Sequence, residues 1–128
     1  MTSELMNLTW VTALTAIIWM PYAMNTIMVA GLKNAVGYPD EPLSRSSWAT
    51  KMKAAHYNAV ENLVIFAALV LIANAAGISN DITVMACKVY FWARLVHVIS
   101  YTLAVPFLRT LAFGVGFGCQ VALVLQLI

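Results

Sequence analysis

Lys51-Met-Lys-Ala-Ala-His-Tyr-Asn-Ala-Val-Glu61-Asn-Leu-Val-Ile-Phe66 runs a carboxylate and two amides straight into a long apolar segment. The apolar character continues to Ala76, so the stretch reads as a helix long enough to enter hydrocarbon with Glu61 inside it. An ionisable side chain in a membrane helix is costly and marks a functional site when a partner can be named. Arg94, on a later apolar segment, is the expected partner. The competing reading is a purely structural ion pair that locks two helices together.

Working outward, the chain has 128 residues, 62% of them hydrophobic and 9% charged, with a mean hydropathy of +0.85. That is too apolar for a soluble domain. Four apolar runs, roughly 8–32, 48–76, 82–105 and 108–128, each approach the ~20 residues that cross a bilayer as a helix. The expected fold is therefore an all-α integral membrane protein, one four-helix transmembrane bundle over residues 1–128. The first run lacks a basic leader, begins with Glu4 and exceeds the ~7–15 residues of a signal-peptide core, so it reads as a retained helix.

A formal net charge of +2 with no long basic block argues against nucleic acid as a partner. Cys87 and Cys119 lie singly inside apolar runs, and His56 and His97 sit on different segments. Neither a metal site nor a disulfide framework follows.

Pro21 removes a backbone donor inside the first helix and predicts a kink there, with Asn25 one turn on as the only strongly polar interior residue. Residues 33–47 carry Gly37, Pro39, Asp40 and Pro42 and read as the main loop, after which Ser46 or Ser47 could cap the second helix. The second connection, Gly77 to Asp81, has no Lys or Arg, and the third turns at Pro106. Lys33, Arg45, Lys51, Lys53 and Arg109 all fall on the side of the first and third loops. The positive-inside rule places those loops in the cytoplasm and both termini outside it; in a bacterium the membrane would be the inner one. Gly114, Gly116 and Gly118 resemble a phosphate loop but follow no strand, so close helix packing is the expectation.

On the second helix Lys51, Asn58 and Glu61 share a face; on the third, Tyr90, Arg94, His97 and Tyr101 form one stripe. Counted from the short outer loop, Glu61 and Arg94 lie about 24 and about 20 Å down, at 1.5 Å per residue. They are expected to meet. With Arg109 opening the fourth helix, the outcome is a polar pocket in the cytoplasmic leaflet suited to a small anionic or zwitterionic ligand. An interhelical hydrogen-bond network would also account for a few of these residues.

Ala55-His56-Tyr-Asn58-Ala-Val-Glu61-Asn62, followed by Arg94-Leu-Val-His97-Val-Ile-Ser-Tyr101 and Pro106-Phe-Leu-Arg109, resembles the MAPEG family of membrane proteins in eicosanoid and glutathione metabolism. The likeness extends over nearly the whole chain. It implies a homotrimer of four-helix subunits with glutathione, as cosubstrate, bound between neighbours near the cytoplasmic face. It further implies Asn58, Glu61, Arg94, His97 and Tyr101 as glutathione-binding residues and Arg109 as the arginine that stabilises the thiolate. Ala54 stands where the motif usually has arginine; Lys51, one turn earlier, is the expected substitute, without arginine's bidentate fork.

The resulting expectation is a glutathione-dependent transferase or peroxidase acting on lipophilic electrophiles or lipid hydroperoxides that arrive from the membrane lipid. Two other classes stay open. One is a small multidrug or ion transporter using an exposed, exchangeable Glu61; the other is a family member that binds lipid and performs no chemistry.

Overall fold

The computed structural model describes all of residues 1–128. It is all-helical: α1 (Ser3–Ile17), α2 (Trp19–Ala30), α3 (Leu32–Val36), α4 (Ser47–Ala75), α5 (Asp81–Thr102) and α6 (Leu108–Leu127). α1 and α2 form one nearly continuous span, Ser3–Ala30; with α4, α5 and α6 it makes four helices long and apolar enough to cross a membrane.

The interruption between α1 and α2 falls at Ile18, three residues before Pro21. Pro21 has no N–H to offer the Ile17 carbonyl, and its ring crowds that oxygen. Ile18 keeps near-helical dihedrals (φ −61°, ψ −29°), so the chain bends without turning away. α1 begins at Ser3, earlier than the apolar pattern predicts, because polar side chains serve its first turn. Thr2 Oγ1 accepts from the Leu5 N–H at 3.1 Å, and Asn7 Nδ2 donates to the Ser3 carbonyl at 2.9 Å.

The other boundaries are also set by local chemistry. Ser46 occupies the N-cap position of α4, yet its side chain does not cap the helix. Asn25 takes it instead: Asn25 Nδ2 donates to Ser46 Oγ at 2.8 Å while the Ser46 N–H donates to Asn25 Oδ1 at 2.9 Å. The lone amide of the first span thus fastens the start of the second.

Past Ala75, Gly77 adopts φ +70°. The Ile78 and Gly77 N–H groups close onto the Ala73 and Asn74 carbonyls, the paired bonds of a Schellman terminus. Asn80 then caps α5 in a reciprocal box with Thr83. At the far end of α5 the same Schellman pattern recurs, Val105 N–H to the Ser100 carbonyl and Ala104 N–H to Tyr101, with Ala104 at φ +57° where glycine is usual. α5 therefore stops at Thr102 rather than near residue 105.

α5 is the most enclosed span and packs most extensively on α6. One core cluster, Val11, Phe66, Val70, Ala86, Cys87, Tyr90, Cys119 and Leu123, fills the half nearer the Gly77–Asp81 loop. A second, Ile18, Tyr22, Ala49, Ala55, Ala59 and Val98, fills the other half. Phe66 and Tyr90 stack at 3.9 Å between centroids. Gly116 admits α5 closely, since a Cβ there would lie 3.6 Å from the Tyr90 ring, whereas Gly114 and Gly118 face open space. Packing within the bundle thus uses one glycine of the three.

α4 behaves differently. Its 29 residues extend about 43 Å against about 30 Å of hydrocarbon. Tyr57, Val60, Val64, Ile65, Leu71 and Ile72 are all exposed along it, and Glu61 lies in the middle of that apolar stripe.

Candidate functional site

The expected Glu61–Arg94 ion pair does not form. The depth estimate places both residues near one level, but their azimuths differ: Arg94 points into the bundle and is 4% exposed, while Glu61 points outward and makes neither hydrogen bond nor ion pair within the protomer. Asn58, one turn below Glu61, takes the guanidinium instead. Arg94 Nη2 donates to Asn58 Oδ1 at 2.6 Å and lies 3.3 Å from His97 Nδ1. Because arginine only donates, His97 Nδ1 is the acceptor there and the ring proton sits on Nε2. Arg94 Nε, buried, has no partner at all.

Below this knot lie two adjoining cavities. The first, about 530 Å³, is lined by Lys51, Ser100, Tyr101, Ala104, Val105, Pro106, Phe107, Arg109 and Thr110. The second, about 240 Å³, is lined by Asn58, His97, Tyr101, Arg109, Thr110 and Phe113. Tyr101, Arg109 and Thr110 face both, so the two form one cleft of mixed lining, apolar at the Ala104–Phe107 turn and more polar toward Asn58 and His97, from the α4 side of the bundle to the start of α6. The larger part falls in the ~300–1,000 Å³ range of small-molecule sites.

Arg109 is exposed, with its guanidinium carbon 4.3 Å from the centroid of the Tyr101 ring. Stacking on that ring orients the cation. Tyr101 is held in turn edge-on to His97, 5.7 Å between centroids, and the His97 carbonyl accepts from Ser100 Oγ at 3.2 Å. Arg109 is the second residue of α6, a helix with no side-chain cap. The first-turn N–H groups and the positive end of the helix dipole therefore add to its charge. Two residues with positive φ, Ala104 (57°) and Phe107 (66°), shape the turn that delivers it. Such conformations cost non-glycine residues about 1–2 kcal/mol each.

Of the residues singled out from sequence, Lys51, Asn58, His97, Tyr101 and Arg109 line the cleft, Arg94 braces it from behind, and Glu61 stands apart. The Lys51 ammonium donates to Ser47 Oγ at 2.6 Å, one turn back. Ala54 is half-buried and contributes no polar group. His56, within the motif, is committed elsewhere, with its Nδ1 2.7 Å from the Tyr22 hydroxyl. The sequence reading missed Thr110 and Phe113; the position of Thr110 directly after Arg109 at a helix start was the available signal. It also passed over the link from α6 to α4, Gln120 Nε2 donating to the Asn62 carbonyl at 3.2 Å.

The model of the MAPEG family matches residues 9–128, a range that contains every residue of this cleft. The chain belongs to the MAPEG family. Membership together with four spanning helices makes it an integral, multi-pass membrane protein. Among curated proteins it is similar to microsomal glutathione S-transferase 1 of Mus musculus, 30% identical over 79 residues, 61% of this chain and 51% of that protein. The chain thus spans about half the length of the curated relative it matches. No solved structure matches it.

Proposed function

We propose that this protein is a membrane-bound, glutathione-dependent transferase in which Arg109 holds the sulfur of glutathione as the thiolate. The observation that carries the reading is the position of Arg109: a cation stacked on Tyr101 at an uncapped helix start, facing both parts of a cleft whose walls are otherwise largely apolar. A free thiol with pKa near ~8.5 is mostly protonated at neutral pH, and an adjacent cation favours the nucleophilic thiolate. The sulfur then forms a bond to the electrophilic carbon of a lipophilic substrate from the bilayer, and the leaving group departs with the bonding pair. In the related peroxidase chemistry the thiolate attacks the terminal oxygen of a lipid hydroperoxide, the O–O bond breaks to release the lipid alcohol, and a second glutathione converts the resulting sulfenic acid to the disulfide and water. Family membership and the similarity to a microsomal glutathione S-transferase support the choice of thiol.

Asn58, His97 and Lys51 would hold the rest of the tripeptide, with Arg94 positioning Asn58 and His97 through the contacts described. A carboxylate facing lipid at mid-helix costs about 2.5–3.5 kcal/mol. That favours a homotrimer in which a neighbouring copy covers the α4 stripe and brings Glu61 toward ligand. The bare, unpaired Glu61 is also what a transporter would require. The family and the Arg109 cleft favour the transferase.

Titration calorimetry of the detergent-solubilised protein with glutathione, alongside conjugation of a halonitrobenzene, tests the reading. Arg109→Ala should lower turnover far more than it weakens glutathione, and should diminish the ultraviolet absorbance of the bound thiolate. Arg109→Lys should keep part of that absorbance. Full turnover and full thiolate signal in Arg109→Ala would remove the catalytic role; glutathione binding without turnover in the unmutated protein would point to a binding-only member.

A further inference from the structure

At the opposite end of the bundle from Arg109, a small pit of about 150 Å³ opens between the start of α1 and the end of α4. Its floor is buried: Val70 and Ala73 are each 1% exposed and Glu4 4%. Its rim, formed by Thr2, Asn74, Gly77 and Ser79, is exposed. Glu4 Oε2 accepts from Thr83 Oγ1 at 3.3 Å, but Oε1 is buried with no hydrogen-bond partner. A buried carboxylate oxygen left without a donor or counter-charge is costly, so the floor of this pit calls for a positive group.

No group of the chain meets Glu4 Oε1. No Lys or Arg occurs in residues 1–32 or 54–87, the segments that build the pit, and Met1 lies 87% exposed to solvent. The carbonyl ends of the last turn of α4 point toward the rim, and the first-turn N–H groups of α1, where Glu4 stands, offset part of the carboxylate's charge without reaching Oε1. Around the carboxylate the pit places neutral oxygen donors on Thr2, Asn74 and Ser79, and no group of three or more metal-ligating His, Cys, Asp or Glu side chains exists in the chain. One carboxylate among neutral oxygens balances one positive charge; calcium sites recruit more carboxylates, and zinc sites need nitrogen or sulfur ligands.

We propose that this pit binds a monovalent cation of the sodium, potassium or ammonium class, with Glu4 as its charged ligand and the rim oxygens completing its shell. The bound ion ties the N-terminus of α1 to the C-terminus of α4 and stabilises the folded bundle. It acts at the face away from the Arg109 cleft and is independent of the glutathione reading.

The test is thermal unfolding of the detergent-solubilised protein in sodium, potassium, ammonium or choline chloride at equal ionic strength, choline serving as the control because its methyl groups keep its charge from close approach to a carboxylate oxygen and leave it no N–H to donate. At ten times its Kd a bound ion raises the folded-to-unfolded ratio about 11-fold. This appears as a saturable rise in Tm over choline for at least one small cation. Glu4→Gln should abolish that rise. Equal Tm in all four salts, or a rise that survives Glu4→Gln, overturns the proposal. If Glu4→Gln does not fold, Asn74→Ala and Ser79→Ala on the exposed rim decide it: the midpoint of the cation titration should move to higher concentration, and an unmoved midpoint in both rejects the site.

Discussion

Asn58 and Arg94 should be energetically coupled, and Glu61 and Arg94 should not. Arg94 is buried with one unpartnered nitrogen, so its guanidinium rests on the 2.6 Å bond to Asn58 and the longer 3.3 Å contact with His97. Asn58→Ala removes the stronger of the two. A hydrogen bond to a charged group is worth about 1.5–3 kcal/mol, and here its loss also leaves a buried cation under-solvated, so the cost should lie near the upper end of that range. Arg94→Leu alone deprives Asn58 of its donor, but Asn58 Oδ1 still lies 3.3 Å from Asn62 Nδ2, and the penalty on that side is smaller. Once Asn58 is gone, deleting Arg94 removes an uncompensated charge and should cost little or even stabilise. A double-mutant cycle read by reversible unfolding in detergent should then give a coupling of about 1.5 kcal/mol. The parallel cycle of Glu61→Gln with Arg94→Leu should be additive within about 0.5 kcal/mol. Additivity in the first cycle, or strong coupling in the second, would refute the azimuthal assignment of Glu61.

Three further outcomes are expected. Ala104→Gly should stabilise the protein by about 1 kcal/mol in the same unfolding assay, because the α5 terminus demands a positive φ at that position; a destabilised variant would mean that the Ala104 methyl packs usefully. Asn25→Leu should cost about 1–3 kcal/mol, since it strips both bonds that fasten Ser46, and Tm measured beside an exposed control such as Asn34→Leu would expose a merely generic effect. A reporter active only outside the cytoplasm, fused after Ile128, should be active if the basic loops are cytoplasmic; cytoplasmic labelling of the fusion would reverse the orientation.

The contrast between Arg109 and Glu61 shows where linear reasoning reaches its end. The membrane class, the four spans, the connections at Gly77–Asp81 and Pro106 and the family motifs were all legible in the chain, because they rest on local properties. Apolar length, proline's missing donor and the φ demanded by a turn act within a few residues of where they are written. The stripe of Arg94, His97 and Tyr101 was legible for the same reason: a helix fixes which of its own residues share a face. What one helix presents to another was not. Helical periodicity allowed Asn58 and Glu61 on a common side of α4, but the rotation of α4 against α5 turns Asn58 inward to Arg94 and leaves Glu61 outside. That rotation is set by packing at positions such as Ala55, Ala59 and Phe66, whose small and flat surfaces seat α4 on its neighbours. Glu4 is the converse case. In the sequence it serves only to argue against a signal peptide, and only the meeting of α1 with Thr83 and the end of α4 buries it. Depth along a helix follows from counting residues, whereas azimuth between helices follows from the summed contacts of the bundle, and charge pairing depends on both.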